Sequence, residues 1–192
     1  MRKLEGWWLP TERTDKGPTW DLLSTCMIGG RNGLLLVEAK AHEEELDYAG
    51  KQLKRTASVQ SKANHAHIQH TLATVSGNLD HRLDGNVNIS IDTHYQLANR
   101  IAWAWKLAES GLPVMLLYLG FLGDTYFADC FRDHDHWQRA MGAYMRGVLP
   151  LDLPGKVVRS DEGGNVQPHN RFLAGRRAER QREQELSRIV GS

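Results

Sequence analysis

Asp21, Glu38 and Lys40 are the residues whose types and spacing are suited to chemistry. Residues 19–28 read as a strand, and 34–41, Leu-Leu-Leu-Val-Glu-Ala-Lys-Ala, as a second. Between them Gly29-Gly30-Arg31-Asn32-Gly33 predicts a turn, with Asn-Gly the favoured hairpin pair. A turn centred near residue 31 sets Asp21 opposite or diagonal to Glu38 and Lys40. Diagonal neighbours in a sheet lie about 7–8 Å apart, within reach of a shared ion. Glu38 and Lys40 share one face of their strand, because side chains alternate with period two. Burying such charges is costly unless they are paired or bind a metal. An Asp and a Glu with no soft ligand beside them make a hard-oxygen site suited to Mg²⁺ or Mn²⁺. The ion polarises a phosphoryl oxygen and lowers the pKa of a bound water. Lys40 would position that water or stabilise the charge developing on the phosphorane. The set is sufficient for phosphodiester hydrolysis. The competing account is a surface ion pair between Glu38 and Lys40 at a strand end.

The apolar start of the 34–41 strand predicts burial on both faces, as at the centre of a mixed sheet. Trp7 and Trp8, ahead of a Gly- and Pro-containing loop, are expected to pack as a lid on the core. Residues 43–60 are polar with room for a short helix, and 62–76 carry His65, Ile68 and Leu72 on one helical stripe. Residues 77–88 are turn-rich. The clearest helix spans 92–110, where Tyr95, Ala98, Ile101, Ala102, Trp105 and Ala108 recur at helical spacing until Gly111 and Pro113 stop it. A strand follows at 113–122, a short one is expected at 125–130, and an amphipathic helix at 134–147. Residues 147–164 read as loop and 172–190 as a basic helix. This alternation predicts an α/β fold, a mixed four- to five-stranded sheet flanked by helices. One domain would span 1–165, with 166–192 as a basic C-terminal helix or tail.

The chain of 192 residues can bury a proper core. Its 24 Lys and Arg against 23 Asp and Glu predict no bulk attraction to nucleic acid. The distribution is less even. Lys51, Lys54, Arg55 and Lys62 stand in a stretch without acids, and Arg176, Arg177, Arg180 and Arg182 gather near the end, while Glu43, Glu44, Glu45 and Asp47 cluster between. Basic patches beside an acidic centre would suit a phosphodiester approaching bound metal, although a solvated surface also accounts for them. No apolar run approaches the roughly 20 residues that cross a bilayer. The first residues lack the apolar stretch of a signal peptide, and Cys26 and Cys130 read as reduced, so a cytoplasmic protein is expected.

Asp21, sixteen intervening residues and then Glu38-Ala39-Lys40 resemble the PD-(D/E)xK, or restriction-endonuclease-like, nuclease superfamily. The resemblance covers 19–41 closely and extends loosely to the 92–110 helix and the 113–122 strand. It implies a restriction-endonuclease-like core in which the acid and the ExK tripeptide sit on adjacent antiparallel strands. It also implies that Asp21, Glu38 and the main-chain carbonyl of Ala39 bind the metal, and that the activity is Mg²⁺- or Mn²⁺-dependent cleavage of DNA ahead of RNA. Trp20 stands where the motif has proline. Many members carry a further glutamate on an earlier helix, a place open to Glu5 or Glu12. Some place a glutamine and a tyrosine on the helix after the core strands; Gln96 and Tyr95 lie on such a helix in the reverse order. Members often pair to cut two strands, which leaves a homodimer open.

Other candidates carry less. His65, His67 and His70 could hold zinc, touch a nucleic-acid backbone, or form a polar helix face. His134-Asp135-His136 predicts a helix cap through its aspartate. No Gly-x-Ser-x-Gly elbow and no Gly-x-x-x-x-Gly-Lys loop occurs. Two alternatives to a free-standing enzyme remain: a catalytically inactive nuclease fold that binds nucleic acid or a protein partner, and a subunit active only within a larger complex.

Overall fold

The computed structural model of the protein describes residues 4, 6–9, 17–83, 85–124, 126–160 and 165–174. Five strands form one mixed sheet: β1 (Leu22–Ile28), β2 (Arg31–Lys40), β3 (Val114–Leu122), β4 (Val158–Arg159) and β5 (Asn165–Ala174), in the order β1-β2-β3-β5-β4. β1 and β2 are antiparallel, β2, β3 and β5 run parallel, and β4 returns antiparallel on β5. Among the described residues three helices, α1 (Val59–Arg82), α2 (Tyr95–Glu109) and α3 (His134–Met145), complete the α/β architecture. Among the described residues no helix is long and apolar enough to cross a membrane. Cys26 and Cys130 are both free.

The hairpin turns earlier than its Asn-Gly pair predicts. Gly29 and Gly30 both take positive φ, 57° and 76°, the backbone of a two-residue turn that follows strand twist, and Ile28 pairs with Arg31. Asn32 and Gly33 therefore lie within β2. Gly33 is required there for closeness, since a Cβ would sit 2.6 Å from the carbonyl oxygen of Pro113, where β3 begins. The shift matters for register. Leu22 faces Val37, so continuing the ladder sets residue 21 opposite Glu38.

Leu36 and Val37, consecutive in β2, are both buried, as the apolar run predicts. β3 alternates buried Leu116, Tyr118 and Leu122 with half-buried or exposed neighbours. Leu79 of α1, Leu97 and Trp105 of α2 and Met141 of α3 meet Leu116 and Tyr118 around a small apolar void, so all three helices contribute to one core on that face. Trp8 is buried, and Trp7 packs edge-on against Trp103 at 5.1 Å. α1 starts on Ser58, whose hydroxyl accepts from the Ser61 N–H. It runs through 77–82, where turns were expected, because Val75 and Leu79 continue the buried stripe of Ile68 and Leu72. A Cβ at Gly77 would meet nothing, so the glycine marks open space and no turn.

Other boundaries also move. The 43–60 segment holds one short 3₁₀ turn, Glu43–Glu45. The strand expected at 125–130 reduces to isolated bridges at Cys130 and Phe131. α3 is capped by Asp133, whose Oδ1 accepts the His136 N–H at 2.7 Å, so the capping falls outside the His134-Asp135-His136 triplet. β5 carries the sheet past residue 165, and 172–174, expected as the start of a helix, are its last three residues. The rest of that expected helix lies outside the described residues.

A tight clip joins the segment after β2 to the start of α2. Lys51 N–H donates to Ile91, His94 N–H to Tyr48 and Tyr95 N–H to Ala49. Gly50 lies so near the chain at Asp92 that a Cβ would overlap its carbonyl. Gly50→Ala is expected to cost about 1–3 kcal/mol and to lower the melting temperature by roughly 2–4 °C for each kcal/mol. Differential scanning calorimetry checks this; an unchanged transition would show that the clip yields freely.

Candidate active site at the end of the hairpin

The chain bends at Asp21, just before β1 begins, and the ladder slips there, with Asp21 N–H donating to Val37 at 3.1 Å. The strand no longer supplies an acceptor for the next N–H of β2. The Asp21 carboxylate takes its place, Oδ2 accepting from Ala39 N–H at 2.7 Å. The acid thereby touches the peptide that links Glu38 to Ala39. It stays exposed while its neighbours across the hairpin do not.

Glu38 and Lys40 are 3% and 5% exposed, which excludes the surface ion pair that was the competing account. A buried carboxylate must be compensated. Lys40 Nζ lies 2.8 Å from Glu38 Oε1, and Arg100 Nε 2.6 Å from Oε2. Arg100 is itself fixed: its guanidinium donates to the Thr19 carbonyl at 3.0 Å and stands 5.0 Å from the Trp20 ring centre. Lys40 also donates to Gln96 Oε1 at 2.9 Å. An ammonium has three donors; the third finds no acceptor among the described residues.

Gln96 and Arg100 are four apart on α2, so they share a face and descend together onto the charged end of β2. Sequence reasoning weighed Gln96 only with Tyr95 and missed Arg100. The signal was present as two polar residues, Gln96 and Arg100, four apart in the first half of an amphipathic helix. Gln96→Ala is expected to leave Lys40 without its second anchor and to weaken about tenfold any activity that depends on that ammonium, as loss of an orienting neighbour does. Activity unchanged by the substitution would remove Gln96 from the site.

Tyr118 stands beside Glu38 in the parallel register. Burial holds its phenol well above its ordinary value, and the charges of Tyr144 and Glu38 push the same way. Tyr144 is raised too, by burial first and then by Asp47 and Glu38. Both rings are therefore neutral walls. A raised tyrosine pKa means the folded state keeps a proton that the unfolded chain releases. The associated stability is complete below the ordinary value of 10.0 and is lost as pH rises beyond it. Urea titrations from pH 9 to 11 should show the decline, with a slope in Tyr144→Phe shallower by up to about 1.4 kcal/mol per pH unit. Equal slopes would contradict this.

Of the expected ligands, Asp21 is thus brought to the Ala39 N–H, and Glu38, the residue before it, holds Lys40 and Arg100 on its carboxylate. Glu5 and Glu12 lie outside the described residues, as do Arg176, Arg177, Arg180 and Arg182. His65 and His67 contact the backbone carbonyls of Lys51 and Trp7. Among the described residues no group of three or more His, Cys, Asp or Glu is placed to hold an ion. By donor type alone, Asp21 and Glu38 suit Mg²⁺, which takes one or two protein carboxylates and completes its shell with water and substrate phosphate. No family model, no curated protein and no solved structure matches the chain.

Proposed function

We propose that the protein is a metal-dependent nuclease of the PD-(D/E)xK type, on a restriction-endonuclease-like core, hydrolysing phosphodiester bonds in DNA. One observation carries this reading: the Asp21 carboxylate hydrogen-bonds the very peptide that follows Glu38, while Lys40 holds Glu38 from the next position on the same face. An antiparallel hairpin followed by a parallel third strand, with a helix delivering Gln96 and Arg100, is the framework such a site needs.

Asp21, Glu38 and the Ala39 carbonyl would hold one or two Mg²⁺ or Mn²⁺ ions. The ion supplies charge for the phosphoryl oxygens and acidifies a bound water. Lys40, anchored by Glu38 and Gln96, directs its remaining N–H at the attacking water or at the oxygen that gains charge. Arg100 acts through Glu38, keeping its carboxylate in place and balancing its charge. Tyr118, neutral and buried, excludes water behind Glu38.

The test is cleavage of plasmid and of single-stranded circular DNA with Mg²⁺, with Mn²⁺ and with EDTA. Cleavage with either metal and none in EDTA is expected; intact DNA throughout would overturn the reading. A second reading rests on Glu38 already being neutralised by two cations. A site so balanced needs no ion, as in a nuclease fold retained only for binding. Nucleic-acid binding without any metal binding would favour it.

A further inference from the structure

A cleft of about 680 Å³ opens between α1, α2 and the 51–57 segment, and it begins where the catalytic residues end. Gln96 and Arg100, which hold Lys40 and Glu38, line its inner end. Among the described residues its lining contains no aspartate and no glutamate. Lys51 and Lys54 stand on its outer wall, both exposed, and neither pairs with a carboxylate among the described residues. Lys51 is held in place. Its N–H is bound by Ile91, its carbonyl by His65, and its ammonium lies 4.9 Å from the Tyr95 ring centre. The lining also carries three amides, Gln52, Asn64 and Asn99, with Asn64 Oδ1 accepting from Gln60 and Asn99 Oδ1 from Arg100.

Cations in a row attract a phosphate backbone, while amides pair with exposed base edges. A cleft of this volume closes around a ligand of nucleotide dimensions. Duplex DNA is read the other way round, with its grooves receiving a helix or a strand. Base edges reach the amides only if the bases are unpaired.

We propose that this cleft receives an unpaired DNA strand next to the scissile phosphate, so that the enzyme acts on single strands or single-stranded ends in preference to paired duplex. The inference rests on the reading of Asp21, Glu38 and Lys40 as the hydrolytic site.

The experiment is fluorescence anisotropy of a short labelled DNA strand, and of its blunt duplex, in EDTA so that nothing is cleaved. Proteins are the wild type, Lys51→Ala/Lys54→Ala, Lys51→Glu/Lys54→Glu, and Lys156→Ala, which removes an exposed cation paired with Asp152 elsewhere. The single strand is expected to bind about tenfold or more tightly than the duplex, and the double glutamate variant to lose about tenfold or more. The double alanine variant should lower the salt slope of log K by about 1.4, since each phosphate contact on a single strand contributes about 0.7. Lys156→Ala should bind as the wild type. Equal or tighter duplex binding, or lysine variants indistinguishable from Lys156→Ala, would overturn the proposal. A parallel Mn²⁺ cleavage assay separates the two readings. Efficient duplex cleavage with the single strand spared sinks the cleft and leaves the nuclease standing. Strand binding through Lys51 and Lys54 with no cleavage of either DNA sinks the nuclease and leaves the cleft.

Discussion

Asp21→Ala and Lys40→Ala are both expected to reduce Mg²⁺-dependent cleavage by about 10²–10³-fold, but for different reasons that separate in the metal dependence. Asp21 contributes a carboxylate whose only described hydrogen bond is with Ala39 N–H. Its removal should raise the metal concentration needed for half-maximal rate and be answered in part by excess Mn²⁺. Lys40 contributes positive charge beside the proposed metal. Its removal takes away a cation that competes with the ion for Glu38, so metal affinity should hold or improve while turnover collapses. A metal titration of single-turnover rates distinguishes the two. Parallel losses of affinity in both variants, or wild-type rates in either, would remove the assigned roles.

The second large effect is on stability. Arg100→Ala is expected to cost about 3–5 kcal/mol, because it leaves a buried carboxylate with only one of its two cations. That corresponds to a fall of roughly 10 °C in melting temperature for a chain of this size. Loss of contacts along the arginine stem would also destabilise, so the informative comparison is the cycle with Glu38→Gln. Glu38→Gln alone should destabilise as well, since Lys40 and Arg100 then face each other without the acid. The double variant should cost clearly less than the two single losses added. Strict additivity would mean that Arg100 does not act through Glu38.

How much of this was legible in the sequence depends on which force decided each element. The α2 stripe and the apolar β3 were readable, because burial alone dictates them. The hairpin was readable as a hairpin, but not its turn. Asn32-Gly33 has the favoured chemistry, and only the neighbouring Pro113 shows why that glycine belongs in a strand. β5 was hidden because Asn165–Ala174 contains Pro168 and little apolar alternation; its backbone pairing with β3 carries it. At the site, Glu38 and Lys40 were legible from their parity. Arg100 was not, since its partner lies 62 positions away and only the packing of α2 joins them. The cations Lys51 and Lys54 were visible, but their place beside Gln96 required the clip at Gly50.

The most direct measurement is calorimetric titration of the purified protein with Mn²⁺. The wild type should bind one or two ions, and Asp21→Ala and Glu38→Gln should each weaken that binding about tenfold or more. Absence of binding by the wild type, or affinities unchanged by both substitutions, would contradict the account.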